Sequence, residues 1–286
     1  MKGFLIFLAM IPLGFAVAYA DNFQTHIIED NSIDESSGLA VSNYSSELLW
    51  THNDSGNTAI IYALSTDGKK RASVFLEGVF NRDWEDLSSF RWQDQGYLLI
   101  ADSGNNWGLN LSSFLHIFKE PKLANVNSAS TEPVSREPAW SIEYDFEDGN
   151  LYDVEAVAVD IHSEKILLLS KEPRQVKVFE LPLFQSPDSG EVISARKIAE
   201  IDYLKYPSAM DISTSGSRAA ILSYGRVYLF NKTGQQSWAD VFEAPDSIIK
   251  YRGLYQPEAL CFDKKAQRLF ISSEKLPAKL LTIQLP

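Results

Sequence analysis

Cysteine, histidine and basic side chains are all scarce in this chain, and each shortage removes a class of function. Its 286 residues include one cysteine. Cys261 can make no intramolecular disulfide, and its apolar run, residues 259–262, reads as a strand in which a thiol is a small buried side chain rather than a reactive one. The four histidines, His26, His52, His116 and His162, fall at unrelated positions with no Gly-x-Ser-x-Gly elbow beside them, which argues against a Ser-His-Asp nucleophile. Lysine and arginine total 26 against 38 aspartates and glutamates, a net charge of −12 that is wrong for nucleic acid or anionic lipid, both of which need clustered cations. Acidic chains suit cations instead.

Long apolar runs are rare too. The one at residues 3–18 follows a single charge, Lys2, and leads into Ala18-Tyr19-Ala20, the pattern of a secretory signal peptide cleaved after Ala20. It is too short to span a membrane comfortably, so no stable membrane insertion is expected. Residues 1–20 are therefore read as a leader and 21–286 as one secreted or periplasmic domain, a monomer. No stretch keeps a helical period.

What is present is a repeat. A strand opening on an acidic or small polar residue is followed by a very apolar strand and then by one rich in Tyr, Phe and Leu. The five copies occupy 35–41, 48–56 and 59–64; 84–90, 97–106 and 114–118; 154–160, 166–172 and 176–181; 207–212, 219–225 and 226–230; and 257–263, 268–274 and 280–283. Glu35, Glu85, Glu155, Ser208 and Glu258 open them, at spacings of 50, 70, 53 and 50 residues. About fifty residues is the length of a four-stranded propeller blade. Outer strands are expected near 72–76, 140–144, 195–199 and 239–243, and the longer spacing is a surface loop at 121–136. The fifth copy ends at its third strand, so residues 23–28 are expected to complete it from the N-terminus. The fold class is all-β, a five-bladed β-propeller, with an open β-sandwich as the alternative.

The five openings, aligned, place Glu35, Glu85, Glu155, Ser208 and Glu258 in one ring at the start of the innermost strands. Carboxylates crowded a few ångströms apart raise one another's pKa, and a cation relieves them. Oxygen donors without histidine or cysteine select a hard ion, and six to eight of them suit Ca²⁺ better than Mg²⁺. A proton-sharing carboxylate cluster or a water-filled structural tunnel would use the same residues. At the ends of second strands, 53–56 (Asn-Asp-Ser-Gly) and 102–106 (Asp-Ser-Gly-Asn-Asn) carry Asp54 and Asp102, which read either as turn chemistry or as groups that support the ion or meet a substrate. Lys171, Glu172, Arg174, Glu274 and Lys275 end the corresponding strands of the third and fifth copies, and Trp107, Tyr251 and Tyr255 are candidate ligand-facing aromatics.

The order Glu35, Glu85, Glu155, Ser208, Glu258, with the turn at Asn53–Gly56 and the segment Trp84-Glu85-Asp86, resembles the calcium-activated nucleotidases or soluble apyrases, five-bladed propellers with a central Ca²⁺. Asp34 stands where that family has its first serine. The repeats are also similar to secreted bacterial propellers of unknown function. Two functions follow as expectations. One is a calcium-binding propeller that binds or scaffolds a small molecule, glycan or protein at its face. The other, which the resemblance implies, is a calcium-dependent hydrolase of phosphoanhydrides or phosphate esters, with Asp54, Glu85 or Asp102 holding a water. Lactonase- or phytase-like ester chemistry belongs to six-bladed relatives and fits five copies less well.

Overall fold

The computed structural model describes residues 16–19, 23–105, 108, 110–123, 137–184 and 191–285. Most of the leader, Trp107 and most of the loop expected at 121–136 lie outside the described residues. Strand β1 (Ala16–Tyr19) falls within the segment expected to be a leader, and β2 (Phe23–Ile27) follows it. The first repeat unit is β3 (Ser36–Val41), β4 (Leu48–Asn53), β5 (Ile60–Ser65) and β6 (Lys70–Phe75). The second is β7 (Trp84–Trp92), β8 (Gln95–Asp102), β9 (Ser113–Lys119) and β10 (Trp140–Phe146). The third is β11 (Val154–Asp160), β12 (Lys165–Ser170), β13 (Val176–Pro182) and β14 (Ile193–Ile201). The fourth runs β15 (Pro207–Ile212), β16 (Arg218–Ser223), β17 (Arg226–Asn231), a short helix α1 (Trp238–Val241) and β18 (Ser247–Lys250). The fifth has β19 (Pro257–Phe262), β20 (Arg268–Ser273) and β21 (Lys279–Gln284).

The fold is all-β, and consecutive strands within each unit pair antiparallel. The N-terminal strand β2 pairs antiparallel with β21, Phe23 opposite Ile283 and Ile27 opposite Lys279, and so supplies the fifth unit's missing strand. Two departures from one-sheet-per-unit occur at outer edges. Tyr144–Phe146 of β10 pair in parallel with Ile193–Ala195 of β14, joining the second and third units into one eight-stranded sheet, and β1 lies parallel to β18 as a fifth strand on the fourth unit. Both contacts cover strand edges that would otherwise leave backbone donors and acceptors unpaired.

The outer strand expected at 239–243 is instead α1 and its exit. Ser237 caps it: its hydroxyl accepts from the Asp240 amide at 3.2 Å, while the Asp240 carboxylate takes the Ser237 amide at 2.9 Å, a reciprocal capping box. Trp238 and Val241 bury from this turn, and the true outer strand follows as β18.

The apolar side chains form five clusters, each between two consecutive units. Phe90, Tyr144, Val157 and Phe179 lie between the second and third, Met210, Ile221 and Trp238 between the third and fourth, and Leu39, Tyr62, Cys261 and Phe270 between the fifth and the first. Two further clusters fill the remaining gaps. A strand with such a layer on each side needs apolar residues on both faces, which is why β4, β8, β12, β16 and β20 are apolar without alternation. The first strands of the units contact one another in a closed order, β3 to β7, β11, β15, β19 and back to β3. These innermost strands position the site.

Candidate carboxylate site

Every innermost strand carries a one-residue bulge near its start. The register slips at Ser37, Glu85, Glu155, Ser208 and Glu258, so each of these residues is extra relative to its partner strand. A bulge re-aims its side chain out of the sheet's alternation. All five are buried, at 5% exposure or less.

The first unit thus contributes Ser37 to this position, a correction to the expected Glu35. Glu35 lies two residues earlier and is exposed, with its carboxylate held by Asn57 Nδ2 at 2.8 Å. Its structural equivalents are Asp83 and Asp153, each two residues before the bulge glutamate of its own unit. Ser37 Oγ donates to the Glu85 carbonyl at 3.0 Å and Ser208 Oγ to the Pro257 carbonyl at 2.8 Å, so both bulge serines tie their strand to the next unit.

The carboxylates converge in two groups that share Glu85. Asp54, Asp83 and Glu85 form one, and Glu85, Asp153 and Glu155 the other, each able to present three oxygens within 4.8 Å of one another. Asp54 arrives from the end of β4, where the Asn81 amide holds its backbone carbonyl at 2.7 Å. Asp83 is set by its neighbours' backbone: its amide donates to Asp102 Oδ1 at 3.0 Å, and its carbonyl accepts from Ser103 and Gly104 at 3.1 Å each. Gly104 is required there, because a Cβ would stand 2.1 Å from Glu85 Oε1 and 2.4 Å from Asp83 Oδ2. Asp153 Oδ1 takes the Asn105 amide at 2.6 Å.

Glu155 Oε1 accepts from Lys171 Nζ at 2.6 Å. Glu258 Oε1 accepts from the Tyr224 hydroxyl at 2.9 Å, while its Oε2 is buried and has no hydrogen-bond partner. Asp102 is not brought into either group; it is buried and bound to Arg82 Nε at 2.8 Å, so it acts on the site through the Asp83 backbone. Glu274 borders the site and accepts from Gln256 Nε2 at 2.9 Å.

The electrostatics follow from burial and crowding. Burial lifts the Glu85 pKa well above its ordinary value, and the charges of Glu155, Asp54, Asp83 and Asp153 add to it. Burial pushes Glu155 up to about 8, although Lys171 pulls the other way. Asp83 is raised to about 6, by burial and by Asp54 and Asp153, and Glu274 to about 7, by burial and by Glu258. Asp54 and Glu258 are also raised, mainly by burial. Burial opposes the charge on Lys171, but Glu155 and Glu258 beside it more than restore it.

Below this layer Asp86 closes the ring. It is fully buried, with Oδ2 accepting the amides of Val157 at 2.8 Å and Met210 at 3.1 Å and Oδ1 accepting that of Leu87 at 2.8 Å, so one carboxylate joins β7, β11 and β15.

Asp83 and Asp153 escaped the sequence reading, yet Asp83-Trp84-Glu85 and Asp153-Val154-Glu155 repeat one Asp-x-Glu spacing. A small residue follows the bulge in four units (Gly38, Ala156, Ala209, Ala259), and aligning on it selects Ser37 rather than Glu35. Among the described residues no helix is long and apolar enough to cross a membrane. Compared with known proteins, the chain matches no family model and no curated protein, so the resemblance to the nucleotidases rests on the quoted motifs alone.

Proposed function

We propose that this protein is a secreted or periplasmic five-bladed β-propeller that binds a hard divalent cation, Ca²⁺ by its donor chemistry, at the start of its innermost strands, and serves as a binding or scaffold protein. The closed order of the innermost strands and the five apolar layers between units support the propeller. Cleavage after Ala20 would take β1 with the leader and leave the fourth unit four-stranded.

The observation that carries the metal reading is the pair of three-carboxylate groups sharing Glu85. Two features of the site fit an ion independently: the buried, unpartnered Glu258 Oε2, and the space at Gly104 that keeps the Asp83 and Glu85 carboxylates together. All donors are oxygens, the set preferred by Ca²⁺. Asp54, Asp83, Glu85, Asp153 and Glu155 would hold the ion, which would supply the positive charge that the crowded carboxylates lack.

Binding rather than hydrolysis is favoured because Lys171, the cation that reaches these carboxylates, is paired with Glu155 at 2.6 Å, while Arg82 is bound to Asp102, outside both groups. Calorimetric titration of Ca²⁺ into chelator-stripped protein tests the proposal: saturable binding, weakened at least tenfold in Glu85→Gln, is expected. Absence of binding, or equal affinity in the variant, removes the metal. Phosphate release from a panel of nucleotides and phosphate esters, abolished by chelator, would move the assignment to a calcium-dependent hydrolase.

A further inference from the structure

The innermost strands have a second end, and its chemistry is opposite to that of the carboxylate site. A cavity of about 430 Å³ opens where β3, β7, β11 and β15 finish and β19 turns away. At about 3.3 Å per residue, the five residues from Glu85 to Phe90 put it some 17 Å from the carboxylates, with Asp86 between the two. Its inner wall includes the buried side chains of Phe90, Val159 and Ile212, and its rim includes Arg91, His162 and Lys264. Among the described residues no aspartate or glutamate lines it. In a chain of net charge −12, two cations from two different units, Arg91 and Lys264, at the rim of one apolar-walled cavity are a local reversal.

These cations are not neutralised within the fold. Lys264 Nζ donates to the Asn43 carbonyl at 2.9 Å, a neutral partner that fixes the ammonium at the rim and leaves it two protons. Burial lowers the Lys264 pKa, the Glu120 charge behind the rim opposes that in part, and the nearby Arg91 charge lowers it again. Arg91 Nη2 donates to the Asp94 carbonyl at 3.1 Å, and its one ion-pair contact, 3.6 Å, is with the fully exposed carboxylate of Asp94, a pair that water screens. The acids behind the rim are committed elsewhere: Asp160 to Trp238 Nε1 at 2.8 Å and Lys232 Nζ at 3.2 Å, Asp263 to Arg268 Nε at 3.2 Å, and Glu120 to Trp50 Nε1 at 2.8 Å and the Asn43 amide at 2.9 Å.

We propose that this cavity binds a small organic anion with an apolar body, its carboxylate or sulfonate head between Lys264 and Arg91 and its body against Phe90, Val159 and Ile212. The volume lies within the ordinary range for small-molecule pockets, and an apolar wall with a few convergent polar groups is the usual construction of one. A simple metal cation is disfavoured by charge, and a larger anion such as nucleic acid by the small number of cations.

The test uses the leaderless chain and the fluorescent probe 1-anilinonaphthalene-8-sulfonate, with octanoate, octanol and octyltrimethylammonium as competitors. One saturable site is expected, displaced by octanoate well before either of the others. Lys264→Gln and Arg91→Gln should each weaken octanoate by about tenfold, the scale of one charge-assisted hydrogen bond, with melting temperature unchanged. Val159→Trp should fill the cavity and abolish binding; if it does not fold, the two charge variants decide. No binding to the folded protein, equal competition by octanol or the ammonium, or unchanged affinity in both charge variants overturns the proposal.

Discussion

Stripping metal from this protein and raising the pH should destabilise it; Glu85 and Glu155 set the direction and Glu155 the scale. A carboxyl held above its unfolded value keeps its proton in the fold at a pH where the unfolded chain has released it. Its contribution to stability is present below the unfolded value and fades as pH climbs through the folded one. Glu155 goes from about 4.5 unfolded to about 8 in the fold, and Glu85 is raised in the same direction. The informative window is pH 6.5–8, above the ordinary carboxylate range and above the value of about 6.5 at which the unfolded chain's histidines titrate. Across it, at 1.36 kcal/mol per pH unit, Glu155 accounts for about 1.5–2 kcal/mol, and Glu85 acts in the same direction. For a domain of this size, 1 kcal/mol corresponds to about 2–4 °C, so Glu155 by itself should lower the metal-free melting temperature by on the order of 5 °C between pH 6.5 and 8. Saturating Ca²⁺ should flatten that fall, because the bound ion holds both groups ionised throughout, and its stabilisation should therefore grow with pH. Glu155→Gln should shrink the slope in chelator. Thermal denaturation by circular dichroism, with Ca²⁺ and with chelator, measures all three. A metal-free melting temperature that is flat or rises over this window would refute the electrostatic account of the site.

Three further outcomes are expected. Gly104→Ala should fold, yet lose at least tenfold in Ca²⁺ affinity by calorimetry, since its new Cβ displaces the Glu85 and Asp83 carboxylates. Asp86→Asn should cost about 2–3 kcal/mol in urea unfolding, because an amide NH₂ then faces at least one of the Leu87, Val157 or Met210 amides. Glu35→Gln should change Ca²⁺ affinity far less than Glu85→Gln when the two are titrated side by side, since Glu35 is exposed, is held by Asn57 and belongs to neither three-carboxylate group.

Particular residues mark where sequence reasoning reached and where it stopped. The five-fold repeat was legible because β4, β8, β12, β16 and β20 are apolar on both faces, a pattern that a strand between two packed layers requires. Closure of the fifth unit by β2 was legible from a missing strand at one end and a spare one at the other. Helix α1 was misread as a strand, because four residues are too few to show a period and Ala239 to Glu243 carry both β-branched and aromatic side chains. Trp238 and the Ser237–Asp240 capping box decided it.

For the site, the sequence by itself determined the supply: acidic residues at the head of the repeats, oxygen donors only, and no cysteine or histidine among them. Only the tertiary structure decided which of them meet. A β-bulge is a register slip between paired strands, visible once both strands are in place, and it puts Ser37 rather than Glu35 beside Glu85. Asp54 from the first unit and Asp153 and Glu155 from the third converge on Glu85, contacts that no local pattern encodes. The cavity at the far end likewise gathers Arg91, His162 and Lys264 from across 173 residues of chain, because the closed contact order of the innermost strands brings the ends of distant strands together.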